Sequence, residues 1–417
     1  MKTMTPAAAS TDDSADRLAA EGGRPLRMRP FAPWPVFDHD ERHASDEVLA
    51  SGRVNYWTGE ECRSFEEEFA RRVHCAHAIA LANGTLALEL ALRAIGVGPG
   101  DEVIAPAKTF IATASCAVAL GARPVVCDVD ADSQNLTAET VRAAMTPRTR
   151  AVVAVHLAGW PCDLEPLADL CRERGVALVE DCAQAHGATY RGRPVGSFGV
   201  VSAFSFCQDK IMTTGGEGGM LVTNDREIWR RAWAYKDHGK SWEAVFEREH
   251  GPGFRWLHES FGSNFRMTEM QAAIGRVQLT KLDRWVARRR RNASALAAAL
   301  RELPGMRVPS PPEHSFHSYY KLYAQLDAAR LREGWNVQRF VESVAREGVP
   351  CFQGSCSEIY RERAFVERGW APAQPLPVAA QLSDSSLLFL VHPTLDESDM
   401  ADAARAVAKV LRAALRV

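Results

Sequence analysis

Short apolar runs alternate with helical stretches from residue 76 to residue 225, and this alternation constrains the fold more than any other feature. The apolar runs include AHAIALA, DEVIAP, RPVVCDV, RAVVAVHL, VALVED, VVSAFSF and GMLVTND. Continuous apolar runs are typical of strands buried on both faces, and strand–helix alternation is typical of a mostly parallel sheet. The pattern therefore predicts a large α/β domain with helices on both faces of its sheet.

The remainder of the chain has a different organisation. The segment EMQAAIGRVQLTKLDRWVARRRRNASALAAALREL predicts one helix of about 30 residues that could bridge two domains. Beyond it, a strand at YYKLYAQL and helices at NVQRFVESVAREG and DMADAARAVAKVLRAALR indicate a smaller α+β domain. We expect a flexible leader over 1–25, a large domain over 26–285, and a small C-terminal domain with the bridging helix over 286–417.

Composition excludes several classes of protein. Apolar residues make up 46% and charged residues 24% of the 417 residues, with a formal net charge of −2, so neither disorder nor a nucleic-acid surface is expected. The N-terminus lacks the apolar core of a secretory signal, and no apolar run approaches the roughly 18 residues of a membrane span. Ten cysteines without C-x-x-C spacing predict reduced thiols in a cytoplasmic protein, with no metal site.

The residues capable of chemistry follow the predicted strands. Ligands of open α/β sheets bind at the carboxyl edge, where these strand ends would meet. The residues at this edge are Asn83, Gly84, Thr85, Phe110, His156, Asp181, Gln184 and Lys210.

Lys210 lies between the apolar run VVSAFSF and the glycine-rich stretch TTGGEGG. A lysine before such a turn is most often a surface residue. Next to buried strands, however, its amine would be partly desolvated and more nucleophilic, as Schiff-base formation with an aldehyde requires. The glycine spacing matches neither a Walker loop nor a dinucleotide fingerprint, but it would let the backbone turn close to a flat ring.

Asp181 ends the run VALVED, where a helix cap is the ordinary alternative role. Together with a Schiff-base lysine, a buried carboxylate has a specific use, because it keeps the pyridine nitrogen of pyridoxal 5'-phosphate protonated. Gly84 and Thr85 open a helix after a strand and could bind the phosphate through free N–H groups. Phe110 could stack on the ring, although a core position is the commoner role of a phenylalanine.

The ordered motifs ANGTLAL, TFIATA, VHLAG, VEDCAQAHGA, FSFCQDK, TTGGEGGMLVTND and SNFRMTEMQAAIGRVQL resemble the DegT/StrS family of pyridoxal-phosphate sugar aminotransferases, which have the fold type I architecture. The resemblance implies that Lys210 is the Schiff-base lysine and proton shuttle, with Asp181 as the partner of the ring nitrogen. It places Gln184 near the ring hydroxyl and Phe110 over the ring. It implies phosphate ligands at Gly84, Thr85 and Ser205.

The resemblance also concerns a second subunit. Asn264, in SNFRMTEMQAA, matches an asparagine that reaches the phosphate of the neighbouring subunit, so a homodimer with shared active sites is implied. His156 and His238 fall near the substrate side of the family pattern.

The implied activity is transfer of an amino group from glutamate or glutamine to a keto-sugar, nucleotide-linked, in amino-sugar biosynthesis. The alternatives are an enzyme that aminates a cyclitol ketone (an inosose) and one that makes an aminobenzoate unit of an antibiotic. A non-catalytic regulator that binds an amino sugar is a more distant alternative. Cys207 and the additional glycine of TTGGEGG depart from the usual family pattern, and they leave the subfamily and the amino donor open.

Overall fold

The computed structural model describes residues 17–416. The large domain holds a seven-stranded sheet, and the small domain holds a four-stranded one. The strands are β1 His77–Leu81, β2 Glu102–Pro106, β3 Arg123–Cys127, β4 Thr149–Val155, β5 Ala177–Asp181, β6 Thr189–Tyr190, β7 Arg193–Pro194, β8 Val201–Ser205, β9 Gly219–Thr223, β10 Met306–Arg307, β11 Ser315–Phe316, β12 Leu322–Leu326, β13 Cys351–Phe352 and β14 Ser386–Phe389.

The large sheet has the order β1-β9-β8-β5-β4-β2-β3. Its pairs are parallel except that β9 runs antiparallel to both β1 and β8. Strands β2, β8 and β9 are buried along their whole length, as their uninterrupted apolar sequences predict. The predicted α/β class with a mostly parallel sheet is therefore confirmed.

Helices cover both sheets and connect their strands. They are α1 His39–Ser51, α2 Glu61–Arg72, α3 Gly84–Ala94, α4 Ala112–Ala119, α5 Ala138–Ala144, α6 Leu164–Arg174, α7 Arg226–Lys236, α8 Trp242–Phe246, α9 Glu269–Arg301, α10 Val337–Arg346, α11 Arg363–Val366, α12 Pro377–Ser383 and α13 Glu397–Ala414. None of the helices in the described part of the chain is long and apolar enough to cross a membrane.

Helix α9 joins the two domains. Its 33 residues begin at a capping box in which Thr268 and Gln271 satisfy each other's backbone N–H groups. Leu282 and Trp285 belong to the core of the large domain, whereas Leu296 and Leu300 belong to the core of the small one. The change of core within one helix lies close to the predicted boundary between residues 285 and 286.

The structure differs from the predicted leader in residues 17–25. Leu18 is only 2% exposed and belongs to the core of the small domain. The carboxylate of Glu347 accepts hydrogen bonds from the backbone N–H groups of Ala19, at 2.8 Å, and Leu26, at 3.0 Å. The sequence has no apolar periodicity that predicts this packing, because Leu18 is the one buried apolar residue of the described segment 17–25. Residues 1–16 lie outside the described part of the chain.

Candidate active site

The start of α3 forms a cradle against the end of β8. Asn83 caps the helix by accepting a hydrogen bond from the N–H of Leu86 at 2.9 Å. Within residues 17–416, no acceptor is assigned to the backbone N–H groups of Gly84 and Thr85. A Cβ atom on Gly84 would lie 2.9 Å from Oγ of Ser205, so only glycine permits this approach. Free N–H groups at a helix start, beside a hydroxyl, can bind a phosphate.

Asp181 ends β5 at the carboxyl edge of the sheet. Its Oδ1 accepts a hydrogen bond from the N–H of Ala183, and its Oδ2 accepts one from the hydroxyl of Thr113, both at 3.1 Å. The Thr113 hydroxyl lies 2.8 Å from that of Thr109. Burial raises the pKa of the Asp181 carboxyl, while these two donors and the charge of Lys210 oppose the rise. The Asp181 carboxylate is therefore fixed by hydrogen bonds and desolvated, so a cationic group of a ligand could bind it.

Lys210 follows β8 in a turn that is held by residues distant in the sequence. Its backbone carbonyl accepts a hydrogen bond from Nε1 of Trp34 at 2.9 Å. Its Nζ lies 5.0 Å from the ring centroid of Tyr320, a residue just before β12. The hydroxyl of Tyr320 donates to the carboxylate of Asp209. Among residues 17–416, Nζ of Lys210 has no carboxylate in ion-pair range, so the amine is available to a ligand.

Phe110 and Gln184 flank this group on the loops after β2 and β5. The Phe110 side chain is 67% exposed, which is unusual for a phenylalanine and leaves its face open to a ring. Gln184 uses Oε1 to accept the N–H of Ala158 at 2.7 Å, and this bond fixes the direction of its amide. Phe110 and Gln184 thus lie on loops that follow strands of the same sheet as Asp181, and their role around a cofactor ring stays a prediction.

His156 follows β4 but is fully buried. Its Nδ1 accepts the N–H of Cys162 at 3.0 Å, and its Nε2 lies 3.1 Å from the carboxylate of Glu180. Glu180 also accepts the N–H groups of Gly196, Phe198 and Gly199, which shape the loop before β8. The structure thus places His156 in a closed polar network beneath Asp181, with both ring nitrogens engaged, and not on an open substrate face.

His238 and Asn264 lie together, on a surface that the single chain leaves exposed. The N–H of His238 donates to the carbonyl of Ser263 at 2.8 Å, and Asn264 pairs with Asp237 in an antiparallel bridge. Neither side chain forms a hydrogen bond or an ion pair with Lys210 in the described residues. The roles of these two residues at an active site therefore stay predictions.

The additional glycine of TTGGEGG occupies a turn that requires it. Gly215 and Gly216 have φ angles of 90° and 133°, in the region that favours glycine. The N–H of Gly216 donates to the hydroxyl of Thr213, which itself donates to the carbonyl of Phe206. Cys207 forms a parallel bridge with Gly216, the residue after Gly215.

Several residues of this site were missed in the sequence. Trp34, Tyr320 and Thr113 contact Lys210 or Asp181, but each lies far from its partner along the chain. Thr113 could have been noticed, because it follows a strand end at one helical turn from Thr109. Trp34 and Tyr320 carry no such signal.

The two-domain fold, with the amine of Lys210 and the carboxylate of Asp181 at one sheet edge, is the arrangement of a fold type I aminotransferase. The sequence profile of the DegT/DnrJ/EryC1/StrS aminotransferase family matches residues 35–408, and the chain belongs to this family. Aminotransferases of this family use pyridoxal 5'-phosphate, as the sequence motifs predicted.

Individual relatives cover nearly the whole chain. An L-glutamine:2-deoxy-scyllo-inosose aminotransferase from Streptomyces kanamyceticus is 38% identical over 95% of this chain and 97% of its own. A UDP-N-acetyl-3-dehydro-alpha-D-glucosamine 3-aminotransferase from Acidithiobacillus ferrooxidans is 35% identical over 88% of this chain and 94% of its own. The crystal structure of an aminotransferase from Psychrobacter cryohalolentis has a TM-score of 0.90 and 51% identity, and the match covers 92% of this chain and 99% of that one.

The residues present fit pyridoxal 5'-phosphate. The close approach of Gly84 to Ser205 leaves backbone N–H groups for a phosphate, and the exposed Phe110 leaves an aromatic face for a ring. Asp181 and Lys210 supply a carboxylate and a primary amine without a strong ion pair between them. The carboxylate suits a protonated ring nitrogen, and the primary amine suits an aldehyde.

Proposed function

We propose that this chain moves an amino group from glutamate or glutamine to a ketone of a sugar, with Lys210 as its catalytic residue. The observation that supports this most is the unpaired amine of Lys210 at the same sheet edge as Asp181 and the Gly84–Ser205 cradle. When bound, pyridoxal 5'-phosphate supplies an electron sink and a carrier for the amino group.

The chain's own residues would divide the remaining work. Lys210 would anchor the cofactor and then take a proton from the donor carbon and return it to the acceptor carbon. Asp181, held by Ala183 and Thr113, would keep the ring nitrogen protonated through its negative charge. Gln184 would hold the ring hydroxyl, and Gly84, Thr85 and Ser205 would bind the phosphate, with Phe110 covering the ring.

Replacing Lys210 tests this assignment. Lys210→Ala should remove both turnover and the visible absorbance of the bound cofactor, because the amine that would bind the cofactor covalently is gone. Lys210→Arg serves as the matched control, since it keeps the positive charge but cannot make the same covalent link. A Lys210→Ala variant that kept the full turnover of the wild-type protein would refute the role.

For the acceptor, we propose a nucleotide-linked keto-sugar, with a cyclitol ketone as the second candidate. Similarity to the UDP-sugar enzyme supports the first, and similarity to the inosose enzyme supports the second. Keto-sugar nucleotides and inososes, each offered with glutamate and with glutamine, would distinguish them by which ketone is aminated.

We further propose a homodimer in the cytoplasm. The exposure of the Asn264 and His238 side chains supports a role at the active site of a second copy. His156 would then act on the site indirectly, through its network beneath Asp181. All ten cysteines are free, as expected in a reducing compartment.

A further inference from the structure

Two backbone segments carry His238 and Asn264, and we call them the paired arm: residues 235–239 and 260–266. The N–H of Ser263 donates to the carbonyl of Tyr235 at 2.7 Å, and that of Phe265 donates to Lys236 at 3.0 Å. The arm begins beside the cradle, because the N–H of Ala82 donates to the carbonyl of Phe265 at 2.9 Å. Its backbone is therefore well defined at the root.

The tip of the arm, by contrast, has little support within its own chain. Phe261 is fully exposed and Asn264 is exposed, so few contacts fix their direction. Besides the backbone hydrogen bonds between the two segments, donors from three side chains converge on one buried side chain. That side chain is Asp237, the residue opposite Asn264 in the antiparallel bridge.

Asp237 has no exposed surface and collects donors from three parts of the chain. Its Oδ1 accepts hydrogen bonds from Arg266 Nη1 at 2.8 Å, Lys240 Nζ at 3.3 Å and Trp57 Nε1 at 3.3 Å. Arg266 lies two residues after Asn264, and its N–H donates to the Asn264 side chain at 3.4 Å. The carboxylate thus ties the second segment of the arm to the first and to the loop before α2.

Positively charged side chains surround the carboxylate of Asp237. Lys236 is fully buried, with Nζ 3.8 Å from Asp237 Oδ2 and 3.3 Å from the ring centroid of Tyr56. Without the carboxylate, the side chains of Lys236, Lys240 and Arg266 would lose the acid that they share, while Glu66 would still attract Lys236. Buried like charges repel strongly, so the arm would be displaced rather than only loosened.

We infer that Asp237 is a positioning residue that aims Asn264 and His238 at the active site of the partner subunit. The inference rests on the proposed function, in which Asn264 contacts the cofactor phosphate of a second copy. It adds that the position of Asn264 at that contact depends on the buried carboxylate of Asp237 on the opposite segment.

The test uses Asp237→Asn, which keeps the shape and removes the charge, with the exposed Asp384→Asn as its control. Titration of the protein with pyridoxal 5'-phosphate, followed by cofactor absorbance, should show affinity about tenfold lower for Asp237→Asn, the size expected for one charge-assisted contact. The control should bind as wild type does. Unchanged affinity in Asp237→Asn would overturn the inference.

A mixed dimer separates positioning from a general structural defect. When Asp237→Asn is co-expressed with Lys210→Ala and the mixed dimer is purified through two tags, one of its two sites combines a native Lys210 with a native arm. That site should regain wild-type cofactor affinity and turnover. Reduced affinity without recovery in the mixed dimer would show that Asp237 acts only within its own subunit and would overturn the inference.

Two further measurements keep the result interpretable. If Asp237→Asn does not fold, Trp57→Phe removes one of the three donors and keeps an aromatic ring, and it should show a smaller loss with the same recovery. Unchanged affinity in that variant would also overturn the inference. Failure of the proposed function itself is distinguishable, because the wild-type protein would then bind no cofactor.

Discussion

At the scale of single residues, Lys108 is a buried charge that the proposed chemistry does not use. It precedes Thr109 and Phe110 on the loop after β2, and its side chain is fully buried. Its Nζ donates to the hydroxyls of Ser357 at 2.9 Å and Ser386 at 2.7 Å, both in the small domain. It therefore ties the loop that carries Phe110 to the other domain, and no carboxylate within residues 17–416 pairs with it.

Burial lowers the pKa of Lys108 from its ordinary value of 10.5 to about 7, with only a small opposing effect from Cys356. Between these values the unfolded chain holds a proton that the folded chain does not, so the free energy of unfolding rises with pH in this window. Relative to Lys108→Met, the wild-type protein should gain about 1 to 2 kcal/mol between pH 7 and pH 9. Urea unfolding of both proteins at the two pH values measures the difference.

The methionine variant serves as the reference because it keeps a long side chain between the two domains and cannot titrate. A stability difference between the two proteins that stayed constant from pH 7 to pH 9 would show that Lys108 keeps an ordinary pKa. A difference that changed in the opposite direction would mean that the folded protein favours the charged amine.

At the scale of secondary-structure elements, the junction of α3 with β8 sets the phosphate cradle. Gly84 begins the helix in the space beside Ser205, and Ser205 is paired with Gly219 on the neighbouring strand. Because a side chain on Gly84 would push α3 away from β8, the geometry of the cradle depends on this one contact.

Gly84→Ala should therefore weaken cofactor binding by about tenfold or more, since the shift of α3 misplaces its free N–H groups. Cofactor affinity is measured by titration, with release of the cofactor on dilution as a second readout. Gly98→Ala is the matched control, because no atom lies within 4 Å of the Cβ it would add. Equal affinity in the two variants would show that Gly84 does not limit the cradle.

The sequence predicted the elements better than the contacts between them. The ends of β5 and β8 were recognised from apolar runs that stop at Asp181 and near Lys210, because burial on both faces leaves a continuous apolar pattern. Trp34 was not predicted, since its contact with Lys210 spans 176 positions and comes from a segment without periodicity. The buried position of His156 was also not predicted, because a polar residue at a strand end looks the same whether it faces a ligand or Glu180.

At the scale of the whole molecule, two cores share one helix, and the candidate site lies at the carboxyl edge of the large sheet. The amine of Lys210, from the large domain, lies near Tyr320, from the segment that enters the small domain. Lys108 and α9 also join the large domain to the small one.

If two copies share their sites, two inactive variants should complement each other. Lys210→Ala and Asn264→Ala homodimers should each have low turnover, whereas a purified mixed dimer should regain about half of the wild-type sites, because one site receives a native residue from each chain. Turnover is measured on the mixed dimer beside both parents. Complementation that failed, in a dimer shown to contain both chains, would place Asn264 at the site of its own subunit.

The assignment of Lys210 is tested most directly by reductive trapping. The holoenzyme is treated with borohydride and digested, and the peptide that carries the cofactor mass is identified by fragmentation. The account predicts a single modified residue, Lys210, with no label in Lys210→Ala. A label on Lys108, Lys321 or another lysine, or a holoenzyme that takes up no label, would contradict it.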